Sequence, residues 1–325
     1  MDCIIQTDTR AYGLCNAAVT GVTSQHRQGK SAYNDYFTIF QSLSALAMLN
    51  VDLHCHSNVS DGILTPAAVA ARAKANGVDV WALTDHDEVS GIAEAREAAA
   101  ALGMRYVTGV EISITWAGET VHIVGLQIDE KNENLVRGLA HTRSGRERRA
   151  REIAAQLEAV GIPNAFEGAL KFVGNPDLIS RTHFARYLIE LGVQKEISDV
   201  FSNYLTEGKP GYIPHRWASL KDAVSWIRGA GGIAVVAHPG RYKFGDLAQD
   251  ALLNEFKQLG GAGVEVVTGS HTVDEYDRYA KVAKNYGLLA SRGSDFHGPG
   301  ESHVDLGALP PLPTGLTPVW HNWRL

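Results

Sequence analysis

The chain has 325 residues, 45% hydrophobic and 20% charged, with a formal net charge of −6, enough length and apolar content for a large core. That negative balance excludes broad electrostatic binding of long nucleic acid, so any nucleic-acid chemistry must be local to one site. No apolar run is long enough to span a bilayer, the N-terminus lacks a basic patch followed by an apolar stretch, and Cys3, Cys15 and Cys55 form no disulfide framework, which together suggest a cytoplasmic protein without a membrane partner.

Residues 1–47 are polar and mixed and offer no obvious strand. They read as a non-catalytic N-terminal extension, with Met48 as a candidate initiator; the rival reading is a partner-binding arm over 33–49. The first ordered element is expected over 51–57, where Val51-Asp52-Leu53-His54-Cys55-His56-Ser57 places two histidines one residue apart. Alternate strand residues share a face, so both imidazoles can reach one metal while Leu53 and Cys55 face elsewhere. Asp61 follows in a loop closed by Gly62. Thr65-Pro66 then supplies a helix cap and a proline at the first helical position.

Alanine-rich stretches at 67–76 and 92–102 predict helices ending at Gly77 and Gly103. Between them, residues 78–83 form a buried-looking strand running into Thr84-Asp85-His86-Asp87, and residues 104–110 repeat the pattern and end on Glu111. Parallel α/β folds place their chemistry at such C-terminal strand ends. A strand over 120–126 carries His122 among apolar neighbours. From Gly125 the rhythm turns helical, and residues 126–211 are expected to form a helical insertion over the active site, including Arg143, Arg146, Arg148 and Arg149. An arginine run there suits phosphate recognition, although a solvated helix face accounts equally well for any single member.

Two late strands complete the pattern. Residues 231–238 deliver His238 just before Pro239-Gly240-Arg241, and residues 288–297 end on Ser294-Asp295-Phe296-His297. Further helices are expected over 220–230 and 273–286, and alternation of this kind predicts a parallel barrel or sheet with helices outside. The Pro310-Pro311-Leu312-Pro313 run suggests an extended strap, with 311–325 as a C-terminal tail without chemistry of its own. Each ligand-type residue alone has a bland explanation. Delivered together from separate strand ends, His54, His56, Asp61, His86, Glu111, His122, His238, Asp295 and His297 point to a catalytic site for divalent cations, whose mixed nitrogen and oxygen donors suit manganese, iron or zinc.

These ordered motifs resemble the PHP (polymerase and histidinol phosphatase) family over about residues 50–307 and, within it, most resemble bacterial nucleoside 3',5'-bisphosphate phosphatases and the related 5'-to-3' exoribonucleases. The resemblance implies a distorted (β/α)7 barrel (PHP fold) with a helical insertion, the barrel taking 48–125 and 212–310. It also implies a three-metal centre, typically manganese, with iron or zinc as alternatives. One ion is expected on His54, His56, Glu111 and Asp295, a second on Glu111, His122 and His238, and a third on Asp61, His86 and His297. The implied activity is hydrolysis of the 3'-phosphate of a nucleoside 3',5'-bisphosphate, together with 5'-to-3' trimming of short single-stranded RNA.

For the substrate, Arg143, Arg146, Arg181, Lys209, Arg241 and Ser270 are the expected contacts, with Arg241 placed best because it follows the ligand His238. His271, or in its place His183, is the expected acid for the leaving hydroxyl. Tyr212 and Trp217 are aromatic candidates for adenine stacking. No stable protein partner is expected. The alternatives are a histidinol-phosphatase-like phosphomonoesterase, an amidohydrolase-type carbon–nitrogen hydrolase, whose pattern commonly calls for a bridging lysine where this chain has Glu111, and a non-catalytic PHP module supporting a polymerase.

Overall fold

The computed structural model describes residues 49–324; the expected extension over 1–47 lies outside them. Seven strands form one sheet in sequence order: β1 (Val51–Asp52), β2 (Val80–Leu83), β3 (Arg105–Trp116), β4 (Glu119–Leu126), β5 (Ile233–Val236), β6 (Gly263–Thr268) and β7 (Leu289–Gly293). The sheet curls until its edges meet. Leu53 N–H donates to Arg292 O at 3.0 Å and Asp295 N–H to His54 O at 2.8 Å, so β1 and β7 close a barrel. Gly293 lies at this seam, where an added Cβ would stand 2.3 Å from His54 Cβ.

The barrel corrects the expectation of uniform parallel alternation. β1, β2 and β3 are parallel, as are β5, β6 and β7, but β4 runs antiparallel to both its neighbours. The cause is local. Trp116 pairs with Glu119 across a two-residue turn in which Ala117 and Gly118 take φ of 49° and 86°, the left-handed pair that a tight hairpin requires. Reversal puts the beginning of β4, and with it His122, at the end of the barrel where the parallel strands finish.

Helices wrap the sheet: α1 (Pro66–Ala75), α2 (Ile92–Ala101), α3 (Glu133–Arg143), α4 (Arg146–Ala159), α5 (Ala165–Leu170), α6 (Arg181–Glu190), α7 (Ile197–Val200), α8 (Leu220–Gly229), α9 (Asp246–Gln258) and α10 (Val273–Tyr286). The expected helices over 67–76, 92–102, 220–230 and 273–286 are all present within a residue or two. Thr65 caps α1 by accepting from Ala68 N–H, and Thr272 with Glu275 forms a reciprocal capping box on α10. None of the described helices is long and apolar enough to cross a membrane.

Alternation along β2 shows how the cores divide. Trp81 and Leu83 pack outward with Val69, Ala70, Ala95 and Ala99 of α1 and α2, whereas Val80 and Ala82 face a cluster with Leu53, Val107, Val124, Leu126 and Val235. The C-terminal segment joins that second cluster: Val319, Trp320 and Trp323 fill it, and Ala290 exchanges backbone hydrogen bonds with Thr317 and Val319. α3 buries Leu135 and Leu139 in the core beneath α8, while residues from Ala150 to Leu205 form a separate cluster of their own.

Candidate metal centre

The nine expected ligand residues converge. His54 and His56 project from the end of β1 with their Nε2 atoms 3.2 Å apart. Glu111 Oε2 lies 3.3 Å from each, and Asp295 Oδ1 lies 3.5 Å from His54 Nε2 and 3.3 Å from His56 Nε2. Glu111 and Asp295 each approach both imidazole nitrogens of this pair, so the four side chains gather donor atoms of the kind that hold a divalent ion.

Glu111 is the hub. Its Oε2 is also 2.9 Å from His86 Nδ1, and its Oε1 is 3.0 Å from both His122 Nδ1 and His238 Nε2. Asp61 Oδ1 sits 3.4 Å from His297 Nε2 and 3.8 Å from His86 Nε2. The compact donor groups are His54, His56 and Glu111; His54, His238 and Asp295; His86, Glu111 and His122; and His56, Asp61, His86 and His297. The groups overlap: His86 reaches both Glu111 and Asp61, and His238 lies near His54 and Asp295 while sharing Glu111 Oε1 with His122.

The donors are short of partners. His56 Nδ1, Asp61 Oδ1, His86 Nδ1, Glu111 Oε2, His122 Nδ1, His238 Nδ1 and Asp295 Oδ1 are all buried without a hydrogen bond, despite their short contacts. Buried polar atoms are ordinarily paired, and the unpaired Asp61 Oδ1, His86 Nδ1, Glu111 Oε2, His122 Nδ1 and Asp295 Oδ1, each within 4 Å of another ligand atom, fit cations between them. Charge tells the same story. Burial alone would raise the Glu111 carboxyl, but the imidazoles of His122, His54 and His86 outweigh it and hold it well below the usual range; Asp61 and Asp295 are lowered in the same way by their histidines.

A supporting layer fixes these side chains. Glu265, 1% exposed on β6, lies 2.8 Å from His54 Nδ1 through Oε1 and accepts from His238 N–H at 2.7 Å through Oε2. A carboxylate only accepts, so His54 Nδ1 carries the proton and Nε2 presents its lone pair to the cluster. His297 is set likewise, its Nδ1 lying 2.9 Å from Asp295 O. Asp85 accepts at 2.7 Å from Ser57 N–H, Ser57 Oγ–H and Ser60 Oγ–H, folding the loop that presents Asp61. Asp87, His238 and Asp295 adopt φ of 51°, 26° and 56°, so three non-glycine residues at the site hold left-handed backbone.

Two cavities open onto the cluster and share Thr182, Phe201, Arg241 and His297 as a common wall. The smaller, about 120 Å³, is lined by Asp61, His86 and His122 on the barrel side and by Arg146, Arg149, Arg181 and Trp217 on the other. Arg146 pairs with Asp87, but Arg149 and Arg181 donate to backbone carbonyls, Ile213 O at 2.9 Å and Leu205 O at 3.2 Å. Burial, aided by Arg181 and Arg146, lowers the Arg149 guanidinium to about 9. The larger cavity, about 600 Å³, is lined by Asp295, Ser270, His271, Ser294 and Ser302.

Residues 52–213 match the PHP domain model. The chain is 51% identical to a 3',5'-nucleoside bisphosphate phosphatase from Chromobacterium violaceum over 85% of this chain and 96% of that protein. The chain belongs to the PHP family. It is also 40% identical to the 5'-3' exoribonuclease Rnm of Escherichia coli, over 84% of this chain and 93% of that protein. Among solved structures it is similar to one described as an amidohydrolase from Chromobacterium violaceum with bound sulfate, at a TM-score of 0.82 and 51% identity, covering 83% of this chain and 94% of that one.

Around this PHP centre the other expected site residues separate. Arg146, Arg181 and Arg241 line the cavities, and Ser270 lies exposed at the larger one. Arg241 is already engaged, donating to Asp295 Oδ2 at 2.9 Å. Arg143 donates to Asp87 O and faces Glu88 at 3.3 Å, bracing the loop after β2. Lys209 is exposed beyond the 201–205 turn and is not part of either lining. His271 has both ring nitrogens occupied, one accepting from Gly240 N–H at 2.9 Å and the other 3.1 Å from Val266 O. His183 is fully buried as the third residue of the α6 capping box, accepting from Ser180 N–H, and burial depresses it to about 4. These engagements suit positioning better than proton donation. Trp217 is covered by Arg146 and Arg149, at 4.6 and 5.5 Å from its ring centroid, so it serves as a platform for guanidiniums.

Sequence reasoning gave no site role to Glu265, Asp87 or Phe201, and took Arg149 only as one member of an arginine run. The signal for Glu265 was available: a carboxylate inside the apolar run Gly-Val-Glu-Val-Val needs a buried partner. Phe201 opens a π-helical turn, a feature with no sequence mark.

Proposed function

We propose that this chain is a metal-dependent phosphoesterase that removes the 3'-phosphate of nucleoside 3',5'-bisphosphates and, by the same cleavage of a P–O3' bond, shortens 5'-phosphorylated oligoribonucleotides. The observation that carries this reading is a cluster of cation ligands beside a chamber in which Arg149 and Arg181 have no carboxylate partner among the described residues. A substrate with two phosphates suits both. Its similarity to the phosphatase of Chromobacterium violaceum and to the exoribonuclease of Escherichia coli supports the same choice.

Bound divalent ions, three in this reading and manganese first among candidates with imidazole and carboxylate ligands, activate water and stabilise charge on the phosphoryl oxygens. The protein supplies the rest. Glu111, His54, His56 and Asp295 would hold one of these ions, and Glu265 fixes the tautomer of His54. Arg149 and Arg181, with Arg146 beside them on Trp217, hold the 5'-phosphate that is not cleaved. Mutual repulsion among these guanidiniums is relieved when an anion arrives. Arg241, tied to Asp295, lies between the chambers within reach of the scissile phosphate. Phe201, shared by both walls, offers an aromatic face to the base. His271 orients the 239–241 turn and thereby Arg241.

Manganese-reconstituted protein assayed against adenosine 3',5'-bisphosphate and histidinol phosphate tests the assignment. Release of phosphate from the bisphosphate is the expected result. Turnover of histidinol phosphate alone would overturn the nucleotide reading in favour of a histidinol-phosphatase-like enzyme.

A further inference from the structure

A third cavity, about 730 Å³, is larger than either of those over the metal centre. It lies between the loop that carries Asp61 and the helical layer, and it shares Ile197 and Glu301 with the 600 Å³ chamber. Shared walls set the three spaces in a row, the arginine chamber, the chamber beside the ligand cluster and this cavity. A nucleoside bisphosphate, with one phosphate at the arginines and the other at the cluster, leaves both later spaces unused. Cavities of roughly 300–1,000 Å³ are the size that holds a small organic ligand, so each can take a nucleotide.

The lining defines what fits. Phe172, Val173, Ile189 and Ile197 are only half-buried, and Ile63 is 43% exposed, which makes an apolar wall facing solvent. Two of the charged groups neutralise others: Lys171 pairs with Glu190 at 3.1 Å, and Arg186 with Glu301 at 2.8 Å. Lys195 makes no ion pair among the described residues and is exposed at the rim. Exposed Glu196 stands next to Lys195 in the lining, so the charges balance and the apolar wall with its aromatic ring, suited to stacking a base, carries the match, with Lys195 at the rim as the cation nearest an attached phosphate.

We infer that this cavity holds the second nucleotide downstream of the scissile phosphate of an oligoribonucleotide, with the first downstream nucleotide in the 600 Å³ chamber. The inference rests on the proposed function. Its chemistry is balanced: water adds a P–O bond, the P–O3' bond breaks, and O3' leaves with a proton as a nucleoside 5'-phosphate. The shortened strand keeps the phosphate on its new 5' end, so it can move forward into the arginine chamber and be cut again. Arg186 connects the track to the centre, since it donates to Asp61 O at 2.6 Å while pairing with Glu301 in the dividing wall.

The test is a length series of 5'-phosphorylated oligoribonucleotides of two, three and four nucleotides, with adenosine 3',5'-bisphosphate as reference, on manganese-loaded full-length protein and the Phe172→Ala/Lys195→Glu variant. In the wild type, KM is expected to fall about tenfold between two and three nucleotides, as the added base gains a stacking partner. The variant should lose that gain while hydrolysing the bisphosphate normally. Lys195→Glu alone, at an exposed position, carries the test if the double variant does not fold. A wild-type KM independent of length, or a gain that survives in the variants, would overturn the inference. Bisphosphate turnover with no oligonucleotide turnover would remove the track and leave the phosphatase reading standing, whereas inactivity on all of them would defeat both.

Discussion

Replacing Glu265 with glutamine probes how the barrel prepares its ligands before any cation arrives. The carboxylate serves two donors at once, His54 Nδ1–H at 2.8 Å and His238 N–H at 2.7 Å. Glutamine keeps the shape but offers one carbonyl oxygen and one amino group, so one of the two donors must face another donor. If the amino group turns to His54, the imidazole must accept at Nδ1 and carry its proton on Nε2, which removes the lone pair it offers to the ligand cluster. If it turns to His238, a buried backbone N–H is left unpaired at about 1–3 kcal/mol, in a residue already at φ 26°. Either way the cation site is weakened, by about 10–100-fold on the usual scale for a lost partner of a ligating histidine, or about 1.4–2.7 kcal/mol. Competition with a metal-sensing chelator, with metal content after dialysis, measures the loss. Melting of the metal-free protein controls for unfolding. Wild-type affinity in a variant that melts normally would refute the reasoning.

Other expectations follow from the same geometry. Arg149→Ala removes a charged donor to the uncleaved phosphate, worth about 1.5–3 kcal/mol, so KM for the bisphosphate should rise about 10–100-fold, while hydrolysis of a nucleoside 3'-monophosphate should be unaffected; equal effects on both substrates would contradict the anchoring role. His183 should make the metal-free protein sensitive to acid. Its folded value of about 4 lies below the ordinary 6.5, so its contribution is complete above pH 6.5 and is lost as the pH falls towards 4, by about 3 kcal/mol at most. Urea unfolding at pH 7 and pH 5 measures this, and His183→Asn should flatten the slope. Trp323→Ala should cost about 3–5 kcal/mol by emptying the lower barrel, read as a reduced urea midpoint.

Much of this was legible because ligands gather at strand ends. His54, His56, His86, His238, Asp295 and His297 each follow an apolar run that marks a buried strand, and the fold converges those ends by closing the sheet, while Glu111 lies within β3, which continues past it to Trp116. His122 was legible as a residue but not in its position, since only the reversal of β4 at Ala117-Gly118 brings it to the working end. That turn lacks the asparagine or aspartate that usually announces a tight hairpin. Substrate-side groups were harder to read. A single run of arginines split three ways: Arg143 to the Asp87 loop, Arg146 and Arg149 to the cavity, and Arg148 to Glu152 on the exposed face. Helical phase separates them, but which phase faces the barrel is set by packing against residues far away in the chain. The tail read as chemically inert, and Trp320 and Trp323 gave no local sign that they pack inside the barrel.

The most direct measurement is anomalous diffraction from manganese-loaded crystals. The account predicts ions inside the cluster, one of them about 2.0–2.2 Å from His54 Nε2, His56 Nε2, Glu111 and Asp295, all in a single cavity beside the arginine chamber. Anomalous peaks elsewhere on the protein, or none among these side chains at saturating manganese, would contradict it.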